Sequence, residues 1–307
     1  MTTTPLDPNE PPLHYIVARG MLGVPSLRLL ARALWGMVAW MLLPSQIARS
    51  LGWHRLHRAQ HAVEHWWARR VTQHLQVKLQ IEGLEHIAPR QTYVVAPLHE
   101  GFADALALFQ LPLPLRFVAR DELFRWRWLG PLLRDMGQME VTPERGTHAY
   151  RMLLRLAPAV FARGESLLIF PQGTILGIES DFNVGAFAVA RALEQPILPV
   201  ALTGGHRVWE HPYTPRLRYG QHMSMRVLPP MTIGRTDDLD AVRVQVRRQL
   251  KAAALDGSMA PPRRFVPQRD SYWDGYRYQI DPDFAELAAH IAEHRAALTH
   301  RQERQGA

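Results

Sequence analysis

Short apolar runs alternate with amphipathic segments through the middle of the chain, and this alternation predicts strands that are each followed by a helix. The most continuous runs, at Tyr93–Ala96, Leu115–Arg120, Ser166–Phe170 and Ile197–Leu202, have the length of buried strands. Amphipathic helices are predicted between them, as at Thr147–Arg163. Strands that alternate with helices predict an α/β fold with a largely parallel central sheet flanked by helices.

The N-terminal part of the chain has a helical rather than a strand pattern. Ala33–Leu43 is uninterrupted by charge, but it is shorter than the roughly 20 apolar residues that cross a bilayer. Ser50–Leu75 is predicted as a second helical segment, with tryptophans beside arginines and histidines. Together they predict an N-terminal helical hairpin that lies on a membrane surface, although a hairpin that only covers the core has the same pattern. Met1–Pro12 is polar and proline-rich and is predicted to be a flexible arm.

Five histidines lie between His54 and His74. We do not predict a metal site from these histidines. Solvated or helix-capping histidines are the better interpretation of this segment.

The composition changes near Pro261–Arg264, where two prolines and two arginines follow the last helix predicted in the alternating region. Beyond it, the aromatic cluster Tyr272–Tyr278 is predicted to pack against the central part, and a helix is predicted from Pro282 to about Gln302. The chain is therefore divided into N-terminal membrane-associating helices at 13–74, a central domain at 75–257 and a C-terminal extension at 258–307.

Charge and cysteine content narrow the functional classes. The chain has no cysteine, which removes disulfides, cysteine nucleophiles and thiolate metal sites. The net charge of +8 favours an acidic partner such as a lipid surface or a phosphorylated thioester carrier. Nucleic acid is disfavoured, because the basic residues are spread along the chain without a Lys/Arg block or stacking aromatic residues in register.

The turn after the Tyr93–Ala96 strand carries the first candidate chemistry. His99 follows the strand, and Asp104 lies five residues on in the first turn of the predicted helix. A carboxylate that holds one imidazole nitrogen leaves the other free to accept a proton from a hydroxyl, so the pair is a candidate general base with its orienting partner. An Asp that only caps the helix beside an unrelated histidine has the same spacing.

A second turn, Phe170–Thr174, follows the Ser166 strand and reads Phe-Pro-Gln-Gly-Thr. A His-x4-Asp turn followed by this sequence resembles the glycerolipid acyltransferases, typified by 1-acylglycerol-3-phosphate acyltransferase, whose paired signatures are His-x4-Asp and Phe-Pro-Glu-Gly-Thr-Arg. Two further segments match the same family, Phe117–Leu123 and Pro196–Ala201, and the resemblance extends over about Leu75–Leu255.

The resemblance implies a membrane-associated O-acyltransferase at the cytoplasmic face of the cell membrane. It would move a fatty acyl group from acyl-CoA or acyl carrier protein, as co-substrate, to a lipid hydroxyl such as that of 1-acylglycerol-3-phosphate, and no further cofactor is expected. His99 is the expected base and Asp104 its partner. Because the sequence has no cysteine and no Gly-x-Ser-x-Gly elbow, direct attack is favoured over a covalent acyl-enzyme.

The resemblance also implies substrate contacts. A short strand predicted at Gln138–Val141 is followed by Arg145, which is in the place of the arginine that binds the acceptor phosphate in the family. A surface arginine at a helix start is the alternative. The expected substrate-binding residues are Arg145, Arg120, Pro171, Gln172, Gly173 and Thr174.

Two departures from the family pattern put the acceptor in doubt. Gln172 replaces a glutamate, and Ile175 replaces an arginine, which removes a bidentate phosphate donor. Either Arg145 or one of Arg116, Arg120 and Arg125 substitutes for it, or the acceptor is an alcohol without phosphate. A lipid-binding relative without turnover and a thioesterase that uses water are further alternatives.

Overall fold

The computed structural model describes residues 14–18, 21–23, 28, 31, 35–36, 43–54, 56–127, 129–209, 216–266, 270 and 278–293. The predicted arm at Met1–Pro12 lies outside them, as do most of the apolar run at 33–43 and all of the aromatic cluster except Tyr278. In chain order the strands are β1 (His14–Ala18), β2 (Met21–Gly23), β3 (Lys78–Glu82), β4 (Val94–Pro97), β5 (Leu115–Arg120), β6 (Met139–Val141), β7 (Ser166–Leu168), β8 (Ile197–Thr203), β9 (Arg216–Arg218) and β10 (His222–Val227).

Within the described residues, seven strands form the central sheet in the order β3-β10-β8-β4-β7-β5-β6. The five strands from β8 to β6 are parallel, and β10 pairs with β8 in the antiparallel direction. The prediction of a largely parallel sheet flanked by helices is confirmed. The helices are α1 (Leu43–Trp53), α2 (His57–His74), α3 (Ala103–Leu108), α4 (Asp121–Arg125), α5 (Leu129–Asp135), α6 (Thr147–Ala162), α7 (Gly185–Ala192), α8 (Gly205–Val208) and α9 (Leu239–Leu255).

Strand β4 is at the centre of the sheet and is buried on both faces, which explains its continuous apolar sequence. Val94 and Ala96 face a core that also contains side chains of α6, α7 and α9. Val95 faces a second core, with side chains of α2 and α3. The two cores fix the position of the turn that leaves β4.

The N-terminal hairpin differs from the prediction at its boundaries. The segment predicted as one helix at Ser50–Leu75 belongs to two helices: α1 ends at Trp53, and α2 begins at His57. Helix α2 is attached to the sheet by Arg116 of β5, whose guanidinium is 1% exposed and pairs with Glu64 of α2 at 3.2 Å and with Glu165 at 3.0 Å. One helix of the hairpin is therefore attached to the core of the protein.

Histidines of this hairpin are hydrogen-bonded within the protein, which corrects the expectation of solvated or capping side chains. His61 contacts Glu64 at 2.9 Å and Glu165 at 2.8 Å. His65 contacts the carbonyl of Phe109 at 2.8 Å. Glu165 and Phe109 lie 104 and 44 positions away from their histidines, so local spacing could not indicate these two partners.

The segment at 13–74 is also not wholly helical. Strands β1 and β2 pair with each other and, through β1, with β9 in a small antiparallel sheet. Within the described residues no helix has both the length and the apolar content to cross a bilayer.

The C-terminal extension begins where α9 ends and continues along the loop that follows β7. Phe265, Tyr278 and Ile291 of the extension bury their side chains against Leu176 of that loop. The predicted helix is present as a short 3-10 turn at Pro282–Phe284 and as helical residues 285–293, and the remainder lies outside the described residues.

Candidate active site

The parallel strands place the two predicted motifs side by side. β4 and β7 are hydrogen-bonded neighbours, with Val94 opposite Leu167 and Val95 opposite Leu168. Both strands run in the same direction, so the turns that follow them leave the sheet at the same edge. In open α/β sheets, ligands bind at this carboxyl edge.

His99 and Asp104 are in direct contact in the first of these turns. The imidazole Nδ1 lies 2.8 Å from Asp104 Oδ2, and the Asp104 side chain is fully buried. The same oxygen accepts hydrogen bonds from the backbone N–H groups of Glu100, at 2.6 Å, and Gly101, at 2.9 Å. With the Nδ1 proton donated to Asp104, Nε2 carries the lone pair. The His99 side chain is 22% exposed, so this nitrogen belongs to a side chain that solvent and substrate can reach.

Gln172 connects the second turn to the first. Its side-chain Oε1 accepts a hydrogen bond from the backbone N–H of His99 at 2.8 Å, and its Nε2 donates to the carbonyl of Gly177 at 2.9 Å. The side chain is 2% exposed. Both polar side-chain atoms of Gln172 are hydrogen-bonded within the protein. A contact between Gln172 and a substrate would therefore involve its backbone.

Asn183 stabilises the second turn. Its side-chain amide donates hydrogen bonds to the carbonyls of Pro171, at 3.1 Å, and Gln172, at 3.2 Å. Gly173 has φ +65°, a conformation that favours glycine. The hydroxyl of Thr174 is buried and makes no hydrogen bond within the described part of the chain. Thr174 is therefore the residue of this turn with an unused buried hydroxyl.

The arginines expected near a phosphate are in different environments. Arg116 is excluded as a substrate contact by its burial between two glutamates. Arg125 is 67% exposed and pairs with Asp121 at 2.6 Å. Arg120, at the end of β5, is 17% exposed and lies 3.5 Å from Glu122. Arg145 is exposed and follows β6 at the same edge of the sheet.

Phe102 of the His99 turn lies close to two tryptophans from other segments, Trp126 and Trp209. The ring centroid of Phe102 lies 6.0 Å from that of Trp126 and 5.2 Å from that of Trp209. Trp126 is 41% exposed. The His99 turn is thus bordered by aromatic side chains.

Glu100 is a residue of this turn that sequence reasoning missed. Its buried carboxylate accepts hydrogen bonds from the backbone of Gly204 and of Arg263, which lie 104 and 163 positions away. Its place between His99 and Asp104 was the only local signal. Among the described residues, no cluster of three or more His, Asp or Glu side chains has the arrangement of a metal site.

A parallel α/β sheet whose carboxyl edge carries a His–Asp pair next to a glycine turn defines a protein of the acyltransferase class. Residues 78–203 match the family model described as Acyltransferase. This match and the relatives described below make the chain similar to the glycerolipid acyltransferases.

The chain is similar to several curated relatives. It is 26% identical to the 1-acyl-sn-glycerol-3-phosphate acyltransferase of Bacillus subtilis over 129 residues, which are 41% of this chain and 63% of that protein. It is 28% identical to the human 1-acyl-sn-glycerol-3-phosphate acyltransferase alpha over 180 residues, 57% of this chain and 62% of that protein. It is 30% identical to the lyso-ornithine lipid O-acyltransferase of Pseudomonas aeruginosa over 140 residues, 45% of this chain and 52% of that protein.

The chain thus spans between about half and two thirds of the length of these relatives. A solved structure with the same fold is the crystal structure of the 1-acyl-sn-glycerophosphate (LPA) acyltransferase, PlsC, from Thermotoga maritima. The match has a TM-score of 0.61 at 15% identity and covers 76% of this chain and 99% of that one.

Proposed function

We propose that this protein is an O-acyltransferase that moves a fatty acyl group from acyl-CoA or acyl carrier protein to a lipid hydroxyl, such as that of 1-acylglycerol-3-phosphate. The single observation that carries the proposal is the 2.8 Å contact between His99 Nδ1 and buried Asp104. It is supported by the match of residues 78–203 to the Acyltransferase family model and by the position of the Phe170–Thr174 turn after the neighbouring strand.

The chemistry follows from this geometry. Nε2 of His99 accepts the proton of the lipid hydroxyl as its oxygen attacks the thioester carbonyl carbon. The negative charge that develops on the carbonyl oxygen requires hydrogen-bond donors, and the unused hydroxyl of Thr174 in the second turn is the candidate. The carbon–sulfur bond then breaks, the thiolate takes the proton from His99, and the ester is released. The sequence has no cysteine to form an acyl-enzyme, so one direct transfer accounts for all atoms.

Thiol release from an acyl thioester tests the proposal directly. The full-length protein is mixed with acyl-CoA and 1-acylglycerol-3-phosphate, and the free thiol and new ester are measured. We expect His99→Ala to lower kcat by about 100-fold or more. His290→Ala, which removes an exposed histidine of the extension, is the matched control and should retain wild-type turnover.

Each alternative gives a different result in this assay. A lipid-binding relative without turnover would release no thiol above background. A thioesterase would release thiol at the same rate without any lipid alcohol and would form no ester. Wild-type turnover by His99→Ala would refute the assignment of the base.

An acceptor without phosphate is the second candidate, and Ile175 favours it. This half-buried residue occupies the position of the family arginine, and Arg116 cannot replace that arginine because it is buried. The relative from P. aeruginosa is named for a lyso-ornithine lipid. Comparing kcat/KM for 1-acylglycerol-3-phosphate, lyso-ornithine lipid and a monoacylglycerol separates the candidates. If phosphate is recognised through Arg145, Arg145→Ala should raise KM for the phosphate acceptor alone.

The location that we propose is the cytoplasmic face of the cell membrane, with the protein held at the surface. Its support is the exposed apolar face of α1, where Leu43 is 60% and Ile47 is 44% exposed. Side chains four positions apart lie on one face of a helix. That face is available to a lipid surface.

A further inference from the structure

Glu100 connects the catalytic turn to two distant segments. Its side chain is 4% exposed. Oε2 accepts hydrogen bonds from the backbone N–H of Gly204 at 2.7 Å and from His206 Nδ1 at 2.9 Å. Oε1 accepts one from the backbone N–H of Arg263 at 2.7 Å. A buried carboxylate that is satisfied by three donors has one well-defined position.

Arg263 belongs to the C-terminal extension, outside the residues that match the family model. Its carbonyl accepts a hydrogen bond from the backbone N–H of Ile178 at 2.9 Å. Its side chain is 1% exposed and pairs with fully buried Asp270 at 2.9 and 3.1 Å. Asp270 also accepts from the backbone N–H of Val266 at 2.8 Å. This buried ion pair fixes the shape of the segment.

A second attachment holds the same segment beside the loop that follows the Phe170–Thr174 turn. Glu179 of this loop is 3% exposed and accepts from the backbone N–H of Phe265 at 2.7 Å and from Arg264 Nε at 2.5 Å. A Cβ on Gly177 would lie 2.7 Å from the backbone nitrogen of Phe265. Glycine is therefore required for the close approach of the two backbones.

These contacts close into a ring. The N–H of His99 donates to Gln172, and the amide of Gln172 donates to the carbonyl of Gly177. The next residue, Ile178, donates to Arg263, and Arg263 donates to Glu100, which is bonded covalently to His99. The ring requires glutamine at position 172, because a glutamate could accept from His99 but could not donate to Gly177.

We propose that residues 260–266 of the extension, held by Asp270, position the catalytic histidine, and that Glu100 is the positioning residue through which they act. The proposal rests on the proposed function, since it assigns a role in that same reaction. The backbone of His99 is held from one side by Gln172 and from the other by Glu100. Loss of either contact lets the imidazole move, and a displacement of about 1 Å can lower a rate by roughly 100-fold.

Glu100→Gln is the direct test. The amide has the same shape, but its NH2 group cannot accept, so one of the two donor sets is left without an acceptor. We expect kcat for thiol release to fall roughly 10-fold to 100-fold with an unchanged acceptor KM. Gln172→Glu breaks the ring at a separate point and should lower kcat in the same way. Glu286→Gln, on the exposed surface of the extension, is the matched control and should match the wild type.

Hydrogen exchange provides a measurement that does not depend on turnover. If the ring couples the segments, Gln172→Glu should speed amide exchange in peptides that contain residues 261–266, and Glu100→Gln should speed it in peptides that contain 176–180. A purely local structural role would change exchange at the mutated segment alone. Thermal unfolding of each variant determines the folded fraction to which kcat is normalised.

Two results would overturn the proposal. One is a wild-type kcat per folded molecule in both Glu100→Gln and Gln172→Glu. The other is unchanged exchange at the distant segment in both variants. If the wild-type protein releases no thiol with any acceptor, the proposed function fails, and the exchange result alone then decides whether the extension fixes the turn.

Discussion

The phenyl ring of Phe170 stacks on the imidazole of His99, with ring centroids 3.8 Å apart and an interplanar angle of 18°. Asp104 holds the same imidazole through Nδ1. The ring of His99 is thus restrained both at one edge and on one face. Phe170 is also the first residue of the Phe170–Thr174 motif. This motif therefore contacts the His99 imidazole directly and also forms the neighbouring turn.

Replacing Phe170 with leucine should separate stacking from simple apolar contact. An aromatic pair contributes about 0.5–1.5 kcal/mol beyond its buried area, so we expect Phe170→Leu to lower kcat by up to roughly 10-fold. Steady-state thiol release is the measurement. Phe161→Leu, at a half-buried phenylalanine of α6, is the control for loss of a ring elsewhere. An unchanged kcat in Phe170→Leu would show that the stacked ring does not contribute to orienting the imidazole.

Gly205 packs against the other member of the pair. A Cβ at this position would lie 1.9 Å from Asp104 Oδ1, which no side chain can tolerate without displacing the carboxylate. The glycine pair after β8 therefore allows the start of α8 to approach Asp104. This explains a Gly-Gly sequence that would otherwise suggest a phosphate loop.

Gly205→Ala should displace Asp104 and lower kcat by about 100-fold, because the imidazole loses its fixed partner. The control is Gly185→Ala, at the start of α7, where an added Cβ meets no atom within 4 Å. Gly185→Ala should retain activity and fold at least as well as the wild type. A Gly205→Ala protein with wild-type kcat would contradict the packing.

Local patterns predicted strands of the central sheet and the His99–Asp104 contact, but not β1, β2 and β9. Each of the predicted features depends on residues close in sequence. The roles of Glu100 and Gln172 could not be predicted, since they depend on backbone N–H groups 163 and 73 positions away, those of Arg263 and His99. By sequence, Arg116 was a reasonable candidate for binding a phosphate. The fold places Glu64 and Glu165 beside its guanidinium, and these ion pairs give Arg116 a structural role.

The exposed face of α1 leads to a prediction about lipid binding. Fully burying a leucine or isoleucine side chain is favourable by about 1.5–3 kcal/mol, so two such side chains contribute substantially to partitioning into a lipid surface. Replacing Leu43 and Ile47 together with serine should reduce the fraction that sediments with liposomes by at least about 10-fold. Leu255→Ser is the control, because that leucine is 46% exposed at the end of α9. Equal loss in both proteins would remove α1 as the specific contact.

Acid should weaken the attachment of α2 to the sheet through Glu165. Burial alone would raise the pKa of the Glu165 carboxyl, but the hydrogen bond from His61 and the charges of Arg116 and Arg163 lower this pKa to about 2. Burial also lowers the pKa of His61, while its hydrogen bonds to Glu165 and Glu64 outweigh that effect and raise the pKa above the ordinary value of 6.5.

The signs of these shifts define the pH range in which the attachment is strongest. A lowered carboxyl pKa contributes stability that is present above the ordinary value of 4.5 and is lost as the pH falls toward about 2. A raised histidine pKa contributes stability that is complete below 6.5 and is lost as the pH rises through the folded-state pKa. The network therefore stabilises the fold most between about pH 4.5 and 6.5.

Urea unfolding of the wild type and of Glu165→Gln across this range provides the test. At pH 6 the substitution should lower the free energy of unfolding by on the order of 3 kcal/mol, since it removes an ionised partner of Arg116 and His61. The difference between the two proteins should shrink as the pH falls from 4.5 toward 2, because the wild-type carboxyl becomes protonated in the same range. Glu286→Gln, at an exposed position, controls for the loss of one negative charge. A difference that stays constant down to pH 2 would show that Glu165 acts through packing rather than through its charge.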